Sequence, residues 1–379
     1  MSVKYHRSID QFYFILAILL IGFGFVIQYS ASSSLAAAKF NDPGFYMRGH
    51  FIRIIAGLAV GFFFLQFNYV QLKSLAPLLA SFSIILLAYA LIHNNITKSA
   101  PTARWITLFS HQFQPSELAK FSLILYLASF YDRHQDKLSD FKKGFLPPVL
   151  VITIMILLII AEPDFSTGAI IAALSITIMI IGGTKLRYLS PFVGLLSIIS
   201  IITVINSPYK LKRILTSIGS SNDIQGTGYQ IHQSLITLGN GGFWGRGLGG
   251  SIEKNLFLPE PHTDFIFSVV GEEFGFIGSV LFLILFLLFF IRGLQISLRA
   301  PDIFGNLLGV GLSISLFSYV LANVGVVCGI LPVTGLPLPF ASYGGSAMLY
   351  NFACIGIILN ISKNMLDKQK PLRIVTIHE

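Results

Sequence analysis

Charge is scarce in this chain. Of 379 residues only 11% are Asp, Glu, Lys or Arg, against about 25% in a soluble domain, which excludes an ordinary soluble globular fold. Acid is scarcer than base, with 17 Asp and Glu against 26 Lys and Arg and a net charge of +9. There are only two cysteines, Cys328 and Cys354, in separate apolar stretches. That excludes a disulfide framework and a paired-Cys metal site. No HExxH, Walker A or GxSxG pattern is present, so metalloprotease, NTPase and serine-hydrolase readings lose support. No Lys/Arg run resembles a nucleic-acid arm. The basic excess fits loops facing anionic lipid. No internal repeat of the transporter kind is visible, and no segment is long enough to make a separate soluble domain. The chain reads as one integral membrane domain over 1–379.

What is present is apolar. Hydrophobic residues make up 54% of the sequence, and mean hydropathy is +0.75. The expected fold is an all-α polytopic membrane protein with about ten spans, each near the ~20 residues a bilayer core needs. They fall at about 12–30, 51–67, 73–93, 115–131, 147–161, 165–183, 188–206, 264–291, 303–330 and 344–362. The first run, ending before Ala36-Ala37-Ala38, resembles a signal peptide, but it is long enough to span and is read as a span. Lys and Arg concentrate in alternate connections, among them Lys4 and Arg7, Arg133 to Lys143, Lys185 and Arg187, and the tail from Lys363. This places both termini in the cytoplasm. One large extracytoplasmic loop, about 207–263, then joins spans 7 and 8. Its stretch TLGNGGFWGRGLGG (Thr237 to Gly250) allows close backbone approach.

With this topology the unusual polar residues gather on the outer side. Arg104 and Trp105 precede FQPSELAK, where Pro115 suits a first helical position and Glu117 a first turn. Lys120 shares a face with Glu117. The two read either as a structural ion pair or as part of a pathway or anion site. Glu162-Pro163-Asp164 forms an acidic turn between two spans. In LPEPHTDFIFSVVGEEFGFIG (Leu258 to Gly278), His262 and Thr263 precede Asp264, with Thr263 expected as N-cap and Asp264 in the first turn. Glu272 and Glu273 lie deeper, and buried hydrogen-bonded glue between helices explains them at least as well as function does. GLPLPFASYGGSA (Gly335 to Ala347) makes a re-entrant-like turn with Ser342 and Tyr343 at its tip. Together these residues describe a cavity open to the outer leaflet, suited to a lipid with a charged, sugar-like head.

These stretches, with EPDFSTG (Glu162 to Gly168) and GYQIHQSLITLGNGGFWGRGLG (Gly228 to Gly249), resemble the SEDS proteins, the FtsW, RodA and SpoVE group. The resemblance runs in order from the first span to the last. YSASSSLA and GRGLGGSIEKNLFLPE look more like the division branch; GLPLPF leans toward the elongation branch. The FtsW-like reading is favoured. EPDFST departs from a frequent Gln-Pro-Asp-Leu-Gly-Thr pattern, so Asp164 carries over more safely than Glu162 or Ser166. The resemblance implies a ten-span fold and a peptidoglycan glycosyltransferase polymerising lipid II into β-1,4 strands at the outer face of the bacterial inner membrane. The implied partners are a class B penicillin-binding protein, which is a transpeptidase, and other division or elongation proteins. Asp264 corresponds to the family's essential Asp and is the candidate base.

Arg104, Glu117, Lys120, Asp164, His262, Thr263, Ser342 and Tyr343 are the candidate substrate-binding residues. No metal-binding pattern is visible, although Mg2+ or Mn2+ accompanying the diphosphate is chemically reasonable. Two other classes also account for intramembrane charge. A lipid flippase or transporter requires access from both faces. A non-catalytic scaffold tolerates loss of Asp264 and Lys120.

Overall fold

The computed structural model describes residues 8–97, 104–108, 111–208, 211–213, 227–254 and 257–365. Lys4, Arg7, the tail beyond 365 and the loop stretch 214–226 lie outside them. Among the described residues eleven helices of fourteen residues or more follow one another: α1 Gln11–Phe40, α2 Phe45–Gln66, α3 Tyr69–Thr97, α4 Pro115–Arg133, α5 Leu146–Ala161, α6 Phe165–Ile181, α7 Leu186–Ile205, α8 Thr227–Asn240, α9 Ile266–Leu298, α10 Ile303–Val327 and α11 Gly345–Lys363. A two-stranded antiparallel hairpin, β1 Ile106–Leu108 and β2 His111–Phe113, precedes α4. Among the described residues eight helices are long and apolar enough to cross a membrane: α1, α2, α3, the stretch Phe141–Ala161 ending in α5, α7, α9, α10 and α11. α6 is apolar but shorter. The remaining expected span is α4, which carries Glu117 and Lys120. The chain is a multi-pass membrane protein; each expected span overlaps a helix, and eight stretches are long and apolar enough to cross.

Helix starts are set by local chemistry. Asp10 caps α1 by accepting from the Tyr13 N–H at 2.9 Å, and Asp302 caps α10 through Gly305 at 2.6 Å. Asp164 caps α6 through Thr167 at 3.3 Å. A side-chain acceptor there satisfies an N–H that would otherwise have no partner. Pro115 opens α4 at the position where its missing N–H costs nothing.

α4, α10 and α11 form the centre, with most of their side chains buried. α2, α3 and α7 turn many large apolar residues outward, including Ile52, Leu78 and Ile205. That is the pattern of a lipid-facing ring, where exposure of apolar groups costs nothing. α2 and α11 approach most closely where Gly61 faces Gly356, since a Cβ on Gly356 would lie 2.2 Å from the Gly61 carbonyl oxygen. Such small-residue seams draw membrane helices together.

Glu272 and Glu273 are structural, as the glue reading expected. α9 breaks at Gly275, whose φ of +66° and ψ of −167° are non-helical. The Gly-rich stretch after α8 closes over the break. The N–H groups of Arg246 and Gly247 donate to the carbonyls of Glu272 and Glu273, each at 2.9 Å, and Phe276 N–H donates to Gly242 at 2.9 Å. The helix's interrupted hydrogen bonds are thereby completed. Glu272 Oε2 accepts from Ser251 at 2.5 Å, and Glu273 accepts from Lys254 at 2.7 Å and Ser30 at 2.5 Å. The long connection is thus tied to α1 and α9 rather than hanging free.

Candidate functional site

The site lies at the end of the bundle that receives β2, the α5–α6 turn, the segment before α9 and the segment before α11. Cross-links between these pieces place them together. Gln114 N–H donates to Ser346 at 3.0 Å, and the Gln114 side chain donates to Asp164 at 3.1 Å. Tyr343 N–H donates to the His262 carbonyl at 3.0 Å, while Ser342 donates to the Thr263 carbonyl at 2.5 Å and accepts from Leu338 N–H at 2.8 Å. With its amide nitrogen turned inward, Gln28 of α1 donates to both the Ala341 and His262 carbonyls at 3.0 Å. The segment carrying Asp264 is therefore clamped from two sides.

Asp264 does not sit in the first turn of α9, and Thr263 is not its cap. The helix starts at Ile266 after Phe265, with no side-chain cap. The Thr263 hydroxyl instead donates to Glu260, to its carbonyl and its carboxylate at 3.3 Å each. Glu260 itself turns the chain with φ +50°. Asp264 belongs to this turn, and its carbonyl is held by the Asn323 amide of α10 at 2.8 Å. The same nitrogen also donates to the Leu336 carbonyl at 2.9 Å. Asn323 thus pins the Asp264 turn against the segment that carries Gly335.

Gly335 lies between the two charged groups that matter most. A Cβ there would meet Asp264 Oδ2 at 3.6 Å and Arg104 Nη2 at 3.7 Å, with φ at +69°. The Arg104 Nη1 also stands 3.8 Å from Asp164 Oδ1. One guanidinium therefore serves two carboxylates from two different connections. Burial pushes the Asp264 carboxyl up to about 6, with Arg104 and Arg213 pulling it down and Glu260 pushing it up. A helix-terminal Asp would have been a weak base. This one, short of the helix and half-buried, is a stronger one.

The other predicted residues fall into two groups. His262 is buried, its ring 4.6 Å from Tyr46 and 5.8 Å from Tyr343, and burial lowers its pKa. Tyr343 also carries the Arg53 guanidinium 3.8 Å above its ring. Glu117 and Lys120 lie elsewhere, buried in α4 at 4% and 1% exposure. Lys120 Nζ donates to Glu117 at 2.8 Å and sits over the rings of Tyr319 and Tyr350 at 3.7 and 3.9 Å. Tyr319 donates to the other Glu117 oxygen at 3.1 Å. This pair is internally satisfied and supports the α4–α10–α11 core directly beneath the site. Glu162 is fully buried, and neither carboxylate oxygen has a partner; burial raises its carboxyl to about 8. It is therefore held neutral at pH 7. The acidic turn is not an exposed one.

Sequence reasoning missed Arg53, His50, Arg213, Asn323 and Gln114. His50 is buried with neither ring nitrogen partnered, and Arg53 Nη1 is likewise buried without a partner. A His and an Arg three apart near the start of an apolar span were a readable signal. Arg213, which donates to the Val333 carbonyl at 3.0 Å, had none, because its loop offers no periodicity.

The donor set does not suit a resident divalent ion. Among the described residues no three His, Cys, Asp or Glu side chains converge, and Asp264 faces two guanidinium groups that repel a cation. No step below runs through a metal.

A family model for FtsW, RodA and SpoVE, described as "Cell cycle protein", matches residues 10–366. Stage V sporulation protein E of Bacillus subtilis (strain 168) is 35% identical over 357 residues, 94% of this chain and 97% of that protein. A probable peptidoglycan glycosyltransferase FtsW of Geobacter sp. (strain M18) is 38% identical over 359 residues, with the same coverage. Among solved structures, a chain from "Structural coordination of polymerization and crosslinking by a peptidoglycan synthase complex" superposes with a TM-score of 0.74 at 26% identity, covering 94% of this chain and 98% of that one. The rod shape determining protein RodA of Thermus thermophilus gives 0.67 at 25%, covering 94% and 97%.

Proposed function

The chain belongs to the family of FtsW, RodA and SpoVE cell cycle proteins, and from that premise we propose how its polar site works. It is a peptidoglycan glycosyltransferase, joining lipid-linked sugars into a strand. The observation that carries the mechanism is Asp264, half-buried near Arg104, with its Oδ2 3.6 Å and the Arg104 Nη2 3.7 Å from the Cβ position of Gly335.

The acceptor is a sugar 4-hydroxyl; the donor is a sugar whose anomeric carbon is bonded to a lipid diphosphate, as in lipid II. The acceptor oxygen bonds to the anomeric carbon while the bond from that carbon to the diphosphate oxygen breaks. The acceptor proton passes to Asp264, and the electron pair leaves with the diphosphate. One in-line displacement converts an α-linked donor to a β-1,4 product. A carboxylate at about 6 is well placed to take the proton at neutral pH. Arg104 meets the negative charge that develops on the departing diphosphate. Arg213 adds a second cation to the same field, as its pull on Asp264 indicates. Asp164 holds Arg104, and Gln114 holds Asp164. Lys120 and Glu117 act as support beneath the site.

The active face is extracytoplasmic, in the bacterial inner membrane. Basic residues near Lys73, Arg133 and Lys185 at the opposite end support that orientation. The role is in division, with a class B penicillin-binding protein as partner. The similarity to FtsW proteins and to a chain of a peptidoglycan synthase complex supports this assignment. Any divalent ion arrives with the diphosphate. The test is direct: purified protein in detergent, with and without the transpeptidase, is given lipid II and its glycan products are separated on a gel. Strands made by the wild type but not by Asp264→Asn support the mechanism; strands made equally by both defeat it.

A further inference from the structure

A second cavity lies away from Asp264, between α1, α2 and the Gly-rich stretch. It holds about 460 Å3, within the range of about 300–1,000 Å3 in which proteins hold small ligands. Tyr29, Ser33, Ser34 and Lys254 line it together with the apolar Phe25, Val26, Met47 and Leu248. The chemistry of that lining narrows the occupant. Among the described lining residues Lys254 is the one charged group, and its ammonium is already used. It donates to Ser30 at 2.8 Å, to the Gly249 carbonyl at 2.9 Å and to Glu273 at 2.7 Å. The cavity therefore has no free charge for a phosphate or carboxylate, unlike the site of Asp264, where Arg104 stands close by.

It does have hydroxyls. Among the described residues those of Tyr29 and Ser34 make no hydrogen bond, and Ser33 is bound only weakly, donating to the Ser30 carbonyl at 3.3 Å. Phe25 and Tyr29, one helical turn apart on α1, add ring faces. Hydroxyls beside aromatic faces suit a ligand that alternates O–H and C–H. An acyl chain would strand the hydroxyls without partners, at a cost. The cavity also neighbours the segment that carries Asp264. Met47 follows Tyr46, whose ring packs on His262 at 4.6 Å, two residues before Asp264.

We propose that the cavity between α1, α2 and the Gly-rich stretch is a second carbohydrate subsite, taking an uncharged, hydroxyl-rich sugar unit outside the reacting pair. The inference rests on the glycosyltransferase reading above. The sugar has two sources, the growing strand or the incoming lipid-linked precursor.

Full-length protein is assayed with lipid II for kcat, KM and product length, using Ser34→Leu to fill the cavity and Tyr29→Phe with Ser34→Ala to remove hydroxyls without adding bulk. A strand occupant predicts products shortened several-fold with the first coupling unchanged. A precursor occupant predicts KM raised about tenfold with kcat unchanged. Either result supports the subsite. If Ser34→Leu fails to fold, the hydroxyl-removing pair decides, with the same two signatures. Unchanged kcat, KM and length in the folded variants overturn the subsite while leaving the glycosyltransferase reading intact. A wild-type chain that joins no sugars overturns both.

Discussion

Gly335 separates a steric account of the site from a purely electrostatic one. Its Cβ position is 3.6 Å from Asp264 Oδ2 and 3.7 Å from Arg104 Nη2, both ordinary contacts, so alanine fits the space. What alanine loses is backbone freedom. At φ +69° a Cβ costs about 1–2 kcal/mol. Gly335→Ala should therefore melt a few degrees lower and keep most of its polymerisation rate. Gly335→Val carries methyls about 1.5 Å beyond the Cβ, which forces the carboxylate and the guanidinium apart. A misplacement of about 1 Å costs about 100-fold in rate, or about 2.7 kcal/mol of barrier. Strand synthesis from lipid II, measured beside thermal melting, reads both effects. A valine variant as active as the alanine variant, or a well-folded alanine variant with no activity, would refute the argument that this glycine keeps two reacting groups in register.

Four further predictions rest on the same structure. Activity should fall about tenfold per pH unit below about 6, because only the ionised Asp264 is a base. Arg104→Gln removes a cation that pulls that pKa down, so the midpoint of its pH–rate profile should move up; a downward move would contradict the assignment. Asn323→Leu leaves the Asp264 and Leu336 carbonyls without their donor, at a cost of about 1–3 kcal/mol. Its activity loss should appear in kcat more than in KM, as steady-state kinetics will show. Glu273→Gln leaves the Lys254 ammonium buried without its counter-charge, a loss of about 3–5 kcal/mol. Adding Lys254→Met should restore part of the melting temperature, which a scan of the three proteins reads.

Much of the architecture was legible because hydrophobic length and Pro, Asp and Gly punctuation report directly on spans. Pro115 and the Glu162 turn marked helix ends that the structure reproduces. The site was legible only as a list of outer-side residues. Thr263 was misjudged because cap chemistry was assigned two residues too early; Glu260 takes its hydroxyl and the helix waits until Ile266. Asp264 consequently lies outside the helix, and burial raises its pKa. The Gly-rich stretch was read as permitting close approach. Its particular task, to cap the break at Gly275, depends on a tertiary contact that no local pattern encodes. Asn323 was hidden for a similar reason, since an amide within an apolar helix shows its use only when its two carbonyl partners are located.

The central claim is that Asp264 receives the acceptor proton. Asp264→Asn keeps the shape of the side chain and should fold as the wild type does, since no described hydrogen bond depends on its carboxylate. Its strand synthesis from lipid II should fall by about 10²–10⁴-fold. Wild-type rates in the purified, folded variant would contradict the account at its root.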